Sequence, residues 1–154
     1  MTLTIRPAPV SHALYVAAPP ESAFRTFTEG MGRWWPKSHS IGTSPLAGVV
    51  MEPWAGGSWH EVGEDGTACP WGRVALWEPP LRLVLVWQIG ADWKHDPTLE
   101  TEVEVTFTAE GTGTRVMLEH RGLEAYGARA AEMSGVFASP GGWPGLLAAY
   151  ASAT

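Results

Sequence analysis

The sequence has 154 residues and a mass of 16.6 kDa, the length of one domain, and 45% apolar against 17% charged residues excludes wholesale disorder. Its net charge is −6 and it contains no basic run, so a nucleic-acid partner is not expected. One cysteine, Cys69, excludes an internal disulfide and a multi-cysteine metal site. Prolines and glycines interrupt the uncharged residues 133–154, so no membrane span is expected. We predict one cytoplasmic domain over residues 1–154, with no metal and no cofactor.

The first predicted elements are a strand and a short helix. His12, Leu14 and Val16 alternate with a second set of side chains at positions 13, 15 and 17, which predicts a strand that the following prolines end. Pro20 suits the first turn of a helix, where its missing N–H costs nothing, and Gly30 ends that helix. We predict one further helical turn over residues 31–35, and then a loop over residues 36–48.

The middle of the chain is typical of a meander of strands, separated by turns rich in glycine and proline. Six strands are predicted, over residues 49–54, 58–62, 71–78, 81–89, 99–110 and 114–120. In the strand 99–110, alternate positions form one mostly apolar face, and glutamate and threonine form the other. Such strands belong to an antiparallel sheet with one covered and one solvated face.

The C-terminus supplies the predicted cover for this sheet. Trp143, Leu146, Leu147 and Tyr150 follow the i, i+3, i+4, i+7 spacing of one helix stripe. Residues 123–137 remain ambiguous between helix and irregular structure. The predicted fold class is therefore α+β, an antiparallel sheet of about six to seven strands around one C-terminal helix, and it permits a cavity between sheet and helix.

Ordered pieces of this sequence also match those of a known family. They are APPESAF at 18–24, WWP at 34–36, GGSW at 56–59, DG at 65–66, WGRV at 71–74, EPPLRL at 78–83, Trp87, GTRV at 113–116, EHRGL at 119–123 and GW at 142–143. The chain resembles the activator of heat-shock protein 90 ATPase homologue-like domains, in the START-like, polyketide cyclase-like (SRPBCC) superfamily. The series extends over nearly the whole chain.

The resemblance implies a helix-grip fold, with two short helices after the first strand and an apolar pocket between sheet and C-terminal helix. Members of the superfamily use that pocket for lipids, polyketides and other hydrophobic molecules. Together with the inward registers above, it gives a predicted set of ligand-binding residues: Trp35, Trp59, Trp71, Leu85, Trp87, Val103, Val105, Leu118, His120, Trp143 and Leu147. The loops 36–48 and 90–97 are expected to set the shape of the pocket.

Two polar residues are candidates for acid–base chemistry if the protein is an enzyme. His120 continues the inward register of its strand, where it could contact a ligand or transfer a proton, but we favour a structural histidine tied to a backbone carbonyl. Glu61 shares a sheet face with Trp59. It is either a buried general acid or, as we favour, a solvated carboxylate.

Three functions remain open from the sequence. The first is a carrier or sensor of a hydrophobic small molecule, as a monomer or homodimer. The second is a cyclase- or dehydratase-type enzyme in which His120 and Glu61 share one cavity. The third, from the resemblance, is a chaperone accessory, although we expect no room here for the separate chaperone-binding domain of the family's namesake. We favour the first.

Overall fold

The computed structural model describes residues 7–154, so the first six residues of the predicted domain lie outside it. A curled antiparallel sheet of seven strands forms its centre. The strands are β1 (Val10–Val16), β2 (Leu46–Met51), β3 (Ser58–Gly63), β4 (Ala68–Glu78), β5 (Arg82–Trp87), β6 (Thr101–Glu110) and β7 (Gly113–Arg121). Their order is β1-β7-β6-β5-β4-β3-β2, so that β1 and β2 are the edges. The predicted α+β class is confirmed.

Within the described part of the chain, four α-helices accompany the sheet: α1 (Pro20–Thr28), α2 (Met31–Trp34), α3 (Ala130–Ala138) and α4 (Trp143–Ala153). Proline occupies the first turn of both α1 and α4, where a missing N–H leaves no hydrogen bond broken. Short 3-10 segments cover Lys37–His39 and Leu123–Arg129. The ambiguous residues 123–137 are thus two helical pieces. Gly127, at φ 59°, makes a kink within the first piece, because a backbone with positive φ interrupts a helix.

The apolar stripe of α4 packs onto the concave face of the sheet, as predicted. Trp143, Leu147 and Tyr150 are all at most 1% exposed. The Tyr150 hydroxyl donates a hydrogen bond to the Ala23 carbonyl at 2.8 Å, which ties α4 to α1. The helix-grip arrangement expected from the resemblance is therefore present.

Two strand predictions need correction. The second strand lies at Leu46–Met51, because residues 52–57 form a turn in which Gly57 N–H donates to the Trp54 carbonyl. The sheet face that was predicted to be solvated also carries two buried residues of β5, Val84 and Val86. Val84 pairs with Glu104, whose carboxylate binds arginine side chains, and this layer of ion pairs reduces the exposure of the valines.

Within residues 7–154, no helix combines the length and the apolar character needed to cross a bilayer.

Candidate functional site

A cavity of about 430 Å³ lies where the first turn of α4 meets the end of β5. Residues 35–41, the end of α3 and the loop after β5 complete its walls. Its lining residues are Trp35, Ser38, His39, Ser40, Ile41, Trp87, Ile89, Trp93, Val136, Phe137, Ser139, Gly141, Gly142, Trp143 and Leu146. The cavity thus lies between the sheet and the C-terminal helix, at one end of the concave face.

Four aromatic rings form the inner wall of this cavity and fix one another. Trp87 meets Phe137 and Trp143 edge-on, with ring centroids 5.5 and 5.8 Å apart, and Trp35 meets Trp143 at 6.2 Å. Edge-to-face pairs of this kind hold rings in defined orientations. The wall is consequently apolar, and each of its rings packs against at least one other.

The backbone of Gly142 explains how Trp143 reaches this wall. A Cβ atom added at Gly142 would lie 2.4 Å from the carbonyl oxygens of Val136 and Phe137. Only glycine therefore allows the start of α4 to approach the end of α3 so closely. The GW pair found in the sequence thus positions one ring of the cavity.

Trp93 lies on an exposed loop at the cavity and is itself 46% exposed. Its φ is 61°, a left-handed backbone that a bulky residue rarely adopts. Hydrogen bonds hold this turn: Gly90 N–H donates to the Lys94 carbonyl at 2.8 Å, and Trp93 N–H donates to the Gly90 carbonyl at 2.9 Å. A strained backbone that presents a large apolar ring is a frequent feature of binding sites.

His39 joins two walls of the cavity. Its Nε2–H donates to the Gly141 carbonyl at 2.7 Å, and its Nδ1 lies 3.0 Å from the Ser38 hydroxyl, which donates to it in this tautomer. Trp35 Nε1–H in turn donates to the His39 carbonyl at 3.3 Å. The segment before β2 and the loop between α3 and α4 are thereby connected across the cavity.

His120 lies behind the aromatic wall, fully buried, and faces inward as predicted. Trp143 Nε1–H donates to its Nδ1 at 3.1 Å, and its Nε2–H donates to the Thr101 hydroxyl at 2.8 Å. That hydroxyl donates onward to the Trp87 carbonyl at 3.0 Å. Its partners are therefore side chains, and the favoured backbone-carbonyl partner is wrong. Burial lowers the pKa of His120 to about 3, so it is neutral at physiological pH.

Glu61 is 1% exposed, so the favoured expectation of a solvated carboxylate is wrong and the side chain is buried. Its Oε1 accepts hydrogen bonds from Ile41 N–H at 2.7 Å and Trp71 Nε1–H at 2.9 Å. Its Oε2 accepts from the Ser40 hydroxyl at 2.5 Å and from Gly42 N–H at 3.3 Å. Such donors offset the cost of burying a charge.

The structure does not bring His120 and Glu61 to one cavity among the described residues. His120 is separated from the large cavity by Trp87, Phe137 and Trp143, whereas Glu61 borders a separate, small cavity beside Cys69. Acid–base work shared by this pair on one substrate has no geometric support.

Of the eleven predicted ligand-binding residues, Trp35, Trp87 and Trp143 line the large cavity. The other eight are fully buried in the core and do not line it: Trp59, Trp71, Leu85, Val103, Val105, Leu118, His120 and Leu147. Both loops expected to shape the pocket do contribute to its walls. The sequence analysis did not single out Trp93, His39 or Phe137. The sequence indicated only that they lie in the loops 36–48 and 90–97 or in the ambiguous segment 123–137.

Metal and thiol chemistry find no support in the structure. Residues 7–154 contain no group of three or more His, Cys, Asp or Glu arranged to hold a metal ion. Burial, together with the Glu61 and Asp65 carboxylates, raises the pKa of the Cys69 thiol. Cys69 is therefore a thiol rather than a reactive thiolate at neutral pH.

The profile of a known family, described as Activator of Hsp90 ATPase homolog 1-like protein, matches residues 17–148. The chain belongs to this family. Among proteins with curated descriptions, none matches the sequence.

Solved structures extend this assignment. Txn09, described as an anthrahydroquino-γ-pyrone synthase and solved as a complex, is 35% identical over 97% of this chain and 98% of its own, with a TM-score of 0.67. CalC of Micromonospora echinospora, described as a self-sacrificing resistance protein, is 32% identical over 94% and 92%, with a TM-score of 0.68. An AHSA1-like protein of Aeromonas hydrophila shares the fold at 20% identity, with 94% and 90% covered and a TM-score of 0.59. The START-like, polyketide cyclase-like assignment is confirmed.

Proposed function

We propose that this protein binds a hydrophobic, aromatic small molecule in the cavity at the start of α4. The observation that carries the proposal is the cavity itself, about 430 Å³ with four aromatic rings on its inner wall. Its volume is in the range of small-molecule sites, about 300–1,000 Å³. Moving an apolar ligand from water to such a wall contributes about 25 cal/mol per Å² buried.

Polar groups at the cavity favour a ligand that carries hydroxyl or carbonyl groups. The Ser38 and Ser40 hydroxyls and the His39 ring lie along one wall, and none of the three is fully buried. Hydroxyls both donate and accept hydrogen bonds, so a ligand with hydroxyl or carbonyl groups at its rim would be oriented by this wall. A fused-ring phenol or quinone meets both requirements.

The more similar relatives support this ligand class. Txn09 is named for a fused-ring product, and its identity of 35% extends over almost the whole of both chains. For this chain we propose that Trp35, Trp87 and Trp143, together with Trp93 and Phe137, contact the ligand. His120 supports that wall from behind, because its ring packs against Trp87, Phe137 and Trp143.

Binding is tested with 1,8-dihydroxyanthraquinone as the probe. The titration follows quenching of tryptophan fluorescence, and native mass spectrometry reports both the stoichiometry and any molecule that co-purifies. A Val136→Trp substitution fills the cavity, and Ala138→Trp on the exposed side of the same helix is its matched control. We expect wild type and A138W to bind one equivalent and V136W to bind none. No binding by wild type, or equal binding by V136W, would refute the proposal.

A cyclase-type reaction in the same cavity is the second candidate. It is favoured by the 35% sequence identity to Txn09, which is described as a synthase. Among the lining residues, His39 is the side chain best suited to move a proton. The test substrate is 1-(2-hydroxyphenyl)butane-1,3-dione, whose phenol oxygen closes on the distal carbonyl and yields 2-methylchromone with loss of water. Faster conversion with wild type than with His39→Asn supports catalysis, and equal rates support a carrier.

We further propose that residues 1–154 act as one domain in the cytoplasm, as a monomer or a homodimer. The seven-stranded sheet supports the single domain, because the described chain folds around it from β1 to α4. Light scattering coupled to size exclusion distinguishes the two assembly states by mass.

A further inference from the structure

Glu61 is a buried carboxylate whose hydrogen-bond partners are all neutral. Within residues 7–154 no basic side chain pairs with it, and each of its oxygens accepts two hydrogen bonds, from Ser40, Ile41, Gly42 and Trp71. A carboxylate can accept at both oxygens, whereas an amide of the same shape has one accepting oxygen and one donating nitrogen. The site is therefore built for the charged group and not merely for its volume.

The segment that Glu61 holds is a wall of the cavity. Ser40 and Ile41 line the cavity directly, yet residues 40–42 belong to no helix or strand. Glu61 comes from β3, the strand beside the edge strand β2, and lies 20 residues from Ile41 in the chain. A side chain of strand β3 thus holds the irregular residues 40–42 in place, where they form part of the cavity wall.

A second chain of contacts leads from Glu61 to the aromatic wall. Trp71, held through its indole N–H, packs against Trp35 with ring centroids 4.8 Å apart. Trp35 lines the cavity and donates to the carbonyl of His39, which lines it as well. The Glu61 carboxylate is thus connected by direct contacts to both ends of residues 35–42.

We propose that Glu61 is a positioning residue, which sets the geometry of residues 35–42 and thereby the affinity of the cavity for its ligand. The proposal rests on the proposed function for its effect on affinity. It gives Glu61 a role other than the general acid considered from the sequence, because the carboxylate is occupied by four donors and does not line the large cavity.

The test compares Glu61→Gln with Glu52→Gln. Glu52 is the matched control, since its carboxylate also accepts a backbone N–H, that of Ser58, but among the described residues makes no hydrogen bond to residues 35–42. In ligand-free protein, ¹⁵N NMR should show that E61Q moves the Ile41 and Gly42 amides and the Trp71 indole N–H and speeds their hydrogen exchange. E52Q should leave those signals in place.

Affinity for 1,8-dihydroxyanthraquinone is the second readout. We expect the dissociation constant to rise about tenfold in E61Q, the effect of losing about one well-placed hydrogen bond, and to stay unchanged in E52Q. If E61Q does not fold, Trp71→Phe removes one donor and leaves a smaller aromatic ring in its place, and the Ile41 and Gly42 signals should again move.

The two proposals fail in different ways. If wild type does not bind the probe, the proposed function fails, and the ligand-free NMR signals still decide whether Glu61 positions residues 40–42. If wild type binds but E61Q leaves both the NMR signals and the dissociation constant unchanged, the positioning role is overturned. Moved signals with unchanged affinity would overturn the claim that this wall determines binding.

Discussion

The two ends of the concave face are built from similar residues but packed differently. Under the middle of α4, Leu118, Leu147 and Tyr150 leave no exposed surface. At the first turn of the same helix, Trp87 and Trp143 face a cavity of about 430 Å³. Apolar character alone therefore does not distinguish a core from a binding site.

What differs is the kind of backbone opposite the sheet. In the packed half a regular helix covers regular strands, and their periodic side chains interdigitate. In the open half the cover consists of residues 35–41, the turn that carries Trp93, and the close junction before Trp143. Irregular segments hold their shape through particular hydrogen bonds, such as His39 to Gly141, and can leave space between them.

The largest expected effect lies in the packed half. Leu118→Ala deletes a fully buried side chain of β7, and such deletions cost about 2–5 kcal/mol of the free energy of unfolding. Urea denaturation measures the loss. Under conditions where the variant is folded, its affinity for 1,8-dihydroxyanthraquinone should equal that of wild type. A loss below about 1 kcal/mol would mean that this half is not the tightly packed one.

The stability of the protein should depend on pH through His120, which lies between the packed half and the open half. In the unfolded chain the pKa of this imidazole is 6.5, whereas burial lowers its pKa to about 3 in the folded protein. The unfolded state therefore binds more protons as pH falls below 6.5, and stability falls. From pH 7 to pH 5 we expect a loss of about 2 kcal/mol, at about 1.4 kcal/mol per pH unit.

This pH effect is measured by urea denaturation at both pH values, in a range where most carboxylates stay ionised. His120→Gln should lack the slope, and His12→Gln, a half-buried histidine on β1, should keep it. An equal slope in H120Q and wild type would show that His120 is not buried as a neutral group between Trp143 and Thr101.

Substitution of Trp93, at the mouth of the open half, should have the smallest effect on stability. It should nevertheless weaken ligand binding. Trp93→Ala and Trp54→Ala both remove half-exposed indoles, but only Trp93 lines the cavity. Both should change the free energy of unfolding by no more than about 0.5 kcal/mol. W93A should weaken probe binding about tenfold, or about 1.4 kcal/mol, and W54A should not. Equal affinities would exclude Trp93 from the site.

The packed half could be predicted from the sequence because its signals are periodic. Alternation in β6 and β7 placed Val103 and Leu118 inward, and the i, i+3, i+4, i+7 stripe placed Leu147 on the covering face. Those residues were also expected at the pocket, since periodicity shows which face is inward but not where the cover leaves a gap.

The open half could not be predicted in the same detail. The position of Trp93 depends on a left-handed residue in a loop without periodicity. The burial of Glu61 depends on donors 10 and 20 residues away, so alternation within β3 fixed its face but not its environment. Such contacts are tertiary, and only the folded chain reveals them.

The central claim is that this protein holds an aromatic ligand at the start of α4 and nowhere else along the concave face. A ¹⁵N NMR titration of wild type with 1,8-dihydroxyanthraquinone tests it most directly. We predict that shift changes concentrate at Ile41, Trp93 and residues 136–142, and that Val103 and Leu118 stay in place. Changes centred on Val103 and Leu118, or on the distant groove beside Trp77 and Pro80, would contradict the account.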